Sequence, residues 1–192
     1  MARPSETDAV DHNLDLLLQA IIATGWARLA SEEANAHAGA LYPAMEQFDI
    51  TTPQRAAACI AQFAHETGGW RWLKELGSPS YFKRYDGRQD LGNLYPGDGA
   101  RFPGRGYIQI TGRNHYASEA KASGLPLLEN PELLEAKPVA AMASCRWWKR
   151  HRLNELADQN RFTAITRVIN GGVNGLEDRK AKWKIAKTIL LT

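Results

Sequence analysis

The stretch TTPQRAAACIAQFAHETGG, residues 51–69, predicts one helix with both of its ends marked. The Thr52 hydroxyl can cap the first turn, and Pro53 follows at a position where a missing N–H costs nothing. Gly68 and Gly69 are typical of a helix end, because glycine readily adopts the left-handed backbone found there. We therefore expect a helix that begins near Pro53 and ends at about Glu66.

Other segments carry apolar residues at helical spacing, whereas the middle of the chain does not. Residues 77–106 are rich in Gly, Pro, Asp and Tyr, and predict a loop with at most a short hairpin. So long a loop inside one domain is commonly functional. The predicted fold is mainly α, with little or no β, in a single domain over residues 1–192. The further helices are expected at 14–29, 32–48, 114–123, 131–150, 160–169 and 176–191.

Composition excludes several classes of protein. The chain has 192 residues, of which 44% are hydrophobic, and no apolar run approaches the roughly 20 residues that span a bilayer. Acidic residues stand where a signal peptide would be apolar, so we expect no export signal and a location in the cytoplasm. The two cysteines, Cys59 and Cys145, are too few for a disulfide framework and are predicted to be buried thiols.

Charge is distributed unevenly along the chain. Residues 1–136 hold 12 Lys and Arg against 17 Asp and Glu, a balance of −5, whereas residues 137–192 hold 12 against 4, a balance of +8. A basic end favours anionic partners such as a nucleic acid, a membrane surface or an anionic cell wall. A solvated helix face explains the same charges and is the simpler interpretation.

Two glutamates flank the predicted helix end, Glu66 in the last turn and Glu75 nine residues later. Glycosidic cleavage commonly uses one protonated carboxyl and one ionised carboxylate, and the helix dipole disfavours a negative charge at Glu66. An unbroken helix would carry Glu75 about 13.5 Å farther along, so the glycines are needed to turn the chain back. Carboxyls roughly 6.5–9.5 Å apart would predict inversion at the anomeric carbon. By spacing alone, a frayed helix end with two exposed glutamates is the simpler interpretation.

A zinc protease is excluded, because Gly69 stands where the second histidine of the motif His-Glu-x-x-His belongs. The remaining histidines show no metal-ligand spacing, so the sequence predicts no metal site.

A glycine-rich motif, GRGYIQITG, occupies residues 104–112. Gln109 and Thr111 alternate with two isoleucines, which predicts that the polar pair shares one face of an extended segment. A Thr hydroxyl beside an amide is suited to holding a water for attack. The motif lacks the Gly-Lys-Ser/Thr ending of a phosphate loop, and a turn with buried isoleucines fits it as well.

A third motif, INGGVNG, occupies residues 169–175 and is followed by Asp178 and Arg179. Asn170 is predicted to point its amide inward, and Arg179 to reach a carboxylate. The alternative is a helix C-cap followed by a surface loop.

Taken in this order, the motifs resemble glycoside hydrolase family 19, and within it the subgroup of bacteriophage endolysins. The family includes plant-type chitinases and lysozyme-like endolysins. The resemblance covers roughly residues 40–185. It is carried by residues 63–69, Glu75, 82–88, 90–93, 96–99, 104–112 and 169–175, and by Asp178 and Arg179.

The resemblance implies a lysozyme-like helical fold with two lobes around a substrate cleft, no cofactor, and an inverting reaction. It implies that Glu66 is the general acid, that Glu75 is the general base and that Thr111 positions the water. The residues expected to bind the sugar are His65, Tyr107, Gln109, His115, Asn170 and Arg179. Relatives in this subgroup commonly read TGRANY where this chain reads TGRNHY at 111–116, so His115 replaces the usual sugar-binding Asn, or Asn114 takes over its role.

The function predicted from these features is an endolysin that cleaves the β-1,4 bonds of MurNAc–GlcNAc glycan strands and so lyses bacteria. The protein is expected to be a monomer without a separate wall-binding module, to accumulate in the host cytoplasm, and to reach the wall at lysis. The basic C-terminal helix is expected to approach the anionic envelope, and no nucleic-acid motif is present. The alternatives are a chitinase and, from another class, a non-catalytic glycan-binding protein.

Overall fold

The computed structural model describes residues 6–191 and their side chains from His12 onward. Ten α-helices lie within this range, with short 3-10 turns between some of them. The helices are α1 (Glu6–Thr24), α2 (Ser31–Gln47), α3 (Pro53–Glu66), α4 (Pro79–Phe82), α5 (Asp98–Arg101), α6 (Arg113–Ser123), α7 (Lys137–Arg150), α8 (Leu153–Asp158), α9 (Phe162–Asn170) and α10 (Leu176–Leu190).

Helix α3 has the bounds predicted from its terminal residues. The Thr52 hydroxyl accepts a hydrogen bond from the backbone N–H of Arg55 at 3.3 Å, and Pro53 stands in the first turn. All eight residues from Ala57 to Ala64 are buried. A helix that is buried all round must be enclosed by neighbours, and its four alanines in this stretch allow those neighbours to approach closely.

The glycine pair ends α3 as expected. Gly68, Gly69 and Trp70 all have positive φ, at 61°, 77° and 72°. A Cβ on Gly69 would lie 2.7 Å from the backbone nitrogen of Trp26, so no larger residue fits there. The Trp70 indole N–H donates to the Thr24 hydroxyl at 3.2 Å, which anchors the turn after the helix to the end of α1.

The other helix predictions are confirmed in type but not always in extent. The predicted helix over 14–29 begins earlier, at Glu6, and ends at Thr24. The predicted helix over 131–150 is two elements, a 3-10 turn at Pro131–Glu135 and then α7. Pro138 accounts for the division, since proline fits the first turn of a new helix but not the interior of a longer one. Helix α8 was not predicted.

The described chain divides into two compact units. The first comprises the residues up to Arg71 and from Cys145 onward, and the second comprises residues 72–144. Within the first unit, α3 packs against α1, α8 and α10, while α2 packs on α1 and α9 packs on α8 and α10. Cys59 and Cys145 are free and buried in this unit, as predicted.

The second unit contains the segment 77–106, where short helices and turns replace the predicted loop. Three buried or half-buried side chains hold it together. Asp86 accepts from the backbone N–H groups of Gly97 and Gly99, and Asn93 bonds the carbonyl of Tyr85 and the N–H of Arg113. The Asp98 carboxylate is paired with the Arg113 guanidinium at 2.5 and 2.9 Å.

Strand structure is almost absent from residues 6–191. Two isolated bridges, Lys74 with Arg105 and Arg105 with Ile110, are all that the described chain contains. The prediction of a mainly α fold with little or no β is therefore confirmed. Within the same residues, every helix is too short or too polar to cross a membrane.

Candidate active site

Glu66 is the last residue of α3 and is paired with a buried arginine of the same unit. The Arg179 guanidinium donates to Glu66 Oε1 at 2.5 Å and to Gln62 Oε1 at 2.5 Å. The Arg179 side chain is 1% exposed and that of Glu66 is 17% exposed. Gln62 is itself fixed, because its amide donates to the Thr166 hydroxyl at 2.8 Å. Arg179 therefore reaches a carboxylate, as its position in the third motif predicted, and that carboxylate is Glu66.

Two electrostatic influences act on the Glu66 carboxylate in opposite directions. The C-terminal end of α3 disfavours a negative charge on the carboxylate, whereas the guanidinium at hydrogen-bond distance favours it. The helix end is thus only one of two opposing influences on this group. The second influence comes from α10, more than 100 residues away along the chain.

His65, the neighbour of Glu66, is held by Asp178. The imidazole Nδ1 lies 2.6 Å from Asp178 Oδ2, and because an ionised carboxylate only accepts, Nδ1 carries the proton. Lys182 donates to the other carboxylate oxygen at 2.5 Å. Burial acts to raise the pKa of Asp178, but the hydrogen bonds from Lys182 and His65 outweigh it and lower the pKa below its usual value.

Gly175, just before α10, is the residue that permits this arrangement. Its φ is +69°, and a Cβ at this position would overlap the imidazole ring of His65. Glycine is therefore required both by the backbone conformation and by the close approach of the ring. Asn170, which was predicted to point inward, is exposed at the end of α9.

Glu75 lies in the second unit, where three donors converge on its carboxylate. The hydroxyls of Tyr81 and Tyr85 donate to Oε1 at 2.9 and 2.8 Å, and the backbone N–H of Gly104 donates to Oε2 at 3.0 Å. The side chain is 19% exposed, so part of it still faces solvent. An ionised carboxylate, which can only accept, matches a set made entirely of donors.

The two tyrosines are in turn held by Arg84. Its guanidinium donates to both hydroxyls and lies over the Tyr81 ring, 3.6 Å from the ring centre. The hydrogen bond to Glu75 is the main cause that raises the pKa of Tyr81 to about 12. The Tyr81 hydroxyl therefore keeps its proton and remains a donor at neutral pH. Neither tyrosine was predicted as a site residue; their spacing of four, which brings side chains together on a helical turn, was the available signal.

The glycine-rich motif forms a tight turn, and the prediction of an extended segment was wrong. Gln109 has a φ of +57°, and its backbone N–H bonds the carbonyl of Gly106 at 3.3 Å. The Thr111 hydroxyl donates to the Gln109 carbonyl at 2.8 Å, and both side chains are half-buried. A Cβ on Gly104 would lie 2.8 Å from Gln109 Oε1 and 3.2 Å from Thr111 Oγ1, so Gly104 connects the Glu75 carboxylate to this turn.

Two of the predicted sugar contacts differ sharply in exposure. Tyr107 is completely buried, so in this structure its ring is a packing residue and is not available to a sugar. His115 is exposed in the first turn of α6, with Nδ1 2.6 Å from the carbonyl oxygen of Thr111. Its backbone position therefore keeps the ring beside the proposed water-positioning residue.

The predicted site residues are divided between the two units. The first unit contains His65, Glu66, Asn170 and Arg179, and the second contains Glu75, Tyr107, Gln109, Thr111 and His115. The residues that the structure describes contain no cluster of His, Cys, Asp and Glu able to hold a metal ion.

Comparison with known proteins gives a match to a family model. The model of the chitinase class I family (Glyco_hydro_19) matches residues 27–154, a range that includes Glu66, Glu75, Thr111 and His115. Arg179 and the basic helix α10 lie outside it.

Individual relatives agree with the family model. An endochitinase of Arabidopsis thaliana is 33% identical over 138 residues, which are 69% of this chain and 46% of the relative. A glycosyl hydrolase family 19 domain-containing protein of Haemophilus influenzae is 29% identical over 177 residues, 77% of this chain and 84% of the relative. The crystal structure of chitinase C from Streptomyces griseus HUT6037 superposes with a TM-score of 0.66 at 25% identity, covering 92% of this chain and 75% of the other. The chain thus spans about half the length of the plant relative it matches.

Proposed function

The chain belongs to glycoside hydrolase family 19, the chitinase class I family, and on that premise we propose that it hydrolyses β-1,4 bonds between N-acetylated amino sugars. The observation that carries the proposal is the pair of carboxylates, each set in a different environment. Glu66 is paired with a single buried guanidinium, whereas Glu75 accepts from three donors. Two carboxyls in contrasting surroundings are what separate acid and base roles require.

In the proposed reaction, Glu66 donates its proton to the leaving glycosidic oxygen. Glu75 accepts a proton from the attacking water, and the Thr111 hydroxyl, which already donates to the Gln109 carbonyl, uses its lone pairs to hold that water. Attack by water from the opposite face gives inversion at the anomeric carbon.

The substrate that we propose is the glycan of bacterial peptidoglycan, cleaved as an endolysin cleaves it. Charge supports this choice over chitin, which is an uncharged polymer. The chain carries a balance of +8 over residues 137–192, and bacterial walls carry anionic groups. The proposal includes the cellular route, in which the protein accumulates in the host cytoplasm and reaches the wall when the membrane fails.

Chitin is the second candidate, and a specific observation favours it. The relatives whose names state a substrate are endochitinases, and the superposed crystal structure is that of a chitinase. Both polymers present β-1,4-linked N-acetyl sugars, so the carboxylate pair serves either.

Product analysis separates these candidates. The protein is incubated with purified peptidoglycan and, separately, with colloidal chitin, and the new reducing ends are identified. Release of N-acetylmuramic acid ends is expected from peptidoglycan, with the anomeric form at early times showing inversion. Release of reducing ends from chitin alone would show that chitin, and not peptidoglycan, is the substrate. Release from neither polymer would refute the hydrolase proposal.

A further inference from the structure

A cationic concavity lies on the first unit, between α9 and α10, and none of the residues discussed for catalysis lines it. Its volume is about 460 Å3, and Arg161, Arg167 and Lys180 supply positive charge around it. Phe162 and Trp183 form the aromatic part of the lining. No Asp or Glu is among the residues that line it.

The arginines of this concavity are available to a ligand. Both Arg161 and Arg167 are exposed, and within residues 6–191 neither guanidinium has an ion-pair or hydrogen-bond partner. Lys180 bonds only Glu177, at 3.2 Å, and the Glu177 side chain is 87% exposed, so this pair is weak. Within residues 6–191, seven other arginines pair with carboxylates, whereas these two guanidinium groups lie unpaired at one concavity.

The aromatic part is a stacked pair of rings, and one of them carries an unpaired donor. The rings of Phe162 and Trp183 stack with centroids 4.4 Å apart and an interplanar angle of 4°, and the Lys187 ammonium lies over the indole. The indole N–H of Trp183 is shielded from solvent and has no acceptor in the described part of the chain. A buried donor without an acceptor costs free energy, and because it is shielded from solvent it meets a ligand oxygen only if the indole turns toward the concavity.

The cationic surface continues beyond the concavity along α10. Lys180, Lys184 and Lys187 follow at helical spacing of four and three residues, so they lie along one face of the helix. A concavity for one anion, flanked by a row of further cations, suits an array of anions on a surface more than a single soluble ion.

We infer that this concavity binds the phosphate of an anionic lipid headgroup, and that it docks the protein onto lipid surfaces independently of hydrolysis. Guanidinium groups present paired donors that match phosphate oxygens, and the volume exceeds that of a free phosphate, which leaves room for the attached glycerol. The neighbouring lysines then meet adjacent headgroups.

The test measures binding of the full chain to vesicles. Phosphatidylglycerol–phosphatidylcholine vesicles are compared with vesicles of phosphatidylcholine alone, for the wild type and for the double variant Arg161→Gln with Arg167→Gln. Binding to the anionic vesicles is expected to weaken about 25-fold in the variant, since each basic side chain at such a surface is worth roughly a factor of five. Hydrolysis of soluble glycan and the thermal unfolding temperature are expected to stay unchanged.

A matched control distinguishes binding at this site from a general effect of the protein's positive charge. The pair Arg28→Gln with Arg152→Gln removes the same charge from exposed positions elsewhere in the first unit. Equal weakening by both double variants would overturn the site. Absence of wild-type binding to anionic vesicles, or binding of glycerol 3-phosphate without binding of vesicles, would overturn the lipid as its ligand.

A spectroscopic readout locates the ligand. Titration with monomeric short-chain phosphatidylglycerol is expected to shift the indole N–H resonance of Trp183. The indole N–H of Trp148, which donates to Asn154 at 2.9 Å, serves as the internal reference and is expected not to move. A shift of Trp148 without a shift of Trp183 would contradict the assigned position.

Discussion

At the scale of single residues, Glu66 is defined by what surrounds it. The helix end and the buried Arg179 act on its carboxylate in opposite directions, so substrate binding can change the balance between them. The acid role proposed for Glu66 therefore depends on two helices and not on α3 alone.

The variant Glu66→Gln tests that role. It is expected to lower the rate of hydrolysis about 10³-fold, because the amide has no proton to donate to the leaving oxygen. The fold is expected to persist, since Gln still accepts from Arg179. Glycan binding, measured by pull-down with insoluble substrate, should remain near that of the wild type.

The matched control is Glu46→Gln, which makes the same change at an exposed position of α2. It is expected to leave the rate unchanged. If Glu66→Gln retained activity within tenfold of the wild type, another group would have to be the acid.

The tyrosines that bond Glu75 are predicted to be positioning residues. Tyr85→Phe removes one of three donors from the carboxylate and should lower kcat about tenfold with little change in KM. Tyr42→Phe, a change on α2 in the first unit, is the control and should have no effect. Equal changes in kcat and KM for the two variants would show that the hydroxyl of Tyr85 has no special function.

At the scale of elements, the segment 77–106 shows how a stretch without periodicity becomes ordered. Its polar side chains form hydrogen bonds to the backbone of the same segment. Asp86, Asn93 and Asp98 fix the path of the chain in this way, whereas apolar residues at helical spacing do so elsewhere. Such bonds join residues that are several positions apart and meet only in the folded chain, so no local sequence pattern predicts them. Asp86, Asn93 and Asp98 are consequently structural residues in this fold.

The ion pair of this segment predicts a pH dependence. The hydrogen bond from Arg113 lowers the pKa of Asp98 below its ordinary 3.8. Because the folded pKa is the lower one, the pair contributes stability that is present above about pH 4 and is lost as the pH falls through the folded value. Asp98→Asn should therefore destabilise the fold by about 2 kcal/mol at pH 7, and by less at pH 3.

Thermal or urea unfolding of the two proteins at both pH values measures this difference. Asp90→Asn is the control, because Asp90 pairs with Arg88 at an exposed position where little stability is expected. A destabilisation by Asp98→Asn that did not change with pH would contradict the assigned role of the charge.

At the scale of the whole molecule, the lysines of α10 predict that lysis of intact cells and hydrolysis of purified wall will respond differently to mutation. Changing Lys180, Lys184 and Lys187 to Gln should weaken lysis of intact cells more than hydrolysis of purified wall, because only the intact cell requires approach to an anionic surface. Lys182 is left in place, since it bonds Asp178 and thereby supports His65. Three equivalent changes at Arg28, Lys121 and Arg152 control for net charge, and equal losses in both assays would contradict the prediction.

The sequence by itself determined α3, its two ends and the mainly α composition, because caps, glycines and helical periodicity act within a few residues. It also located both glutamates and the arginine. Only the tertiary structure decided which partners these groups have: Arg179 with Glu66, two tyrosines with Glu75, and Gly175 against the ring of His65. The same holds for the tight turn at Gln109 and the burial of Tyr107. These features depend on contacts between distant parts of the chain, and local physics does not specify which distant parts meet.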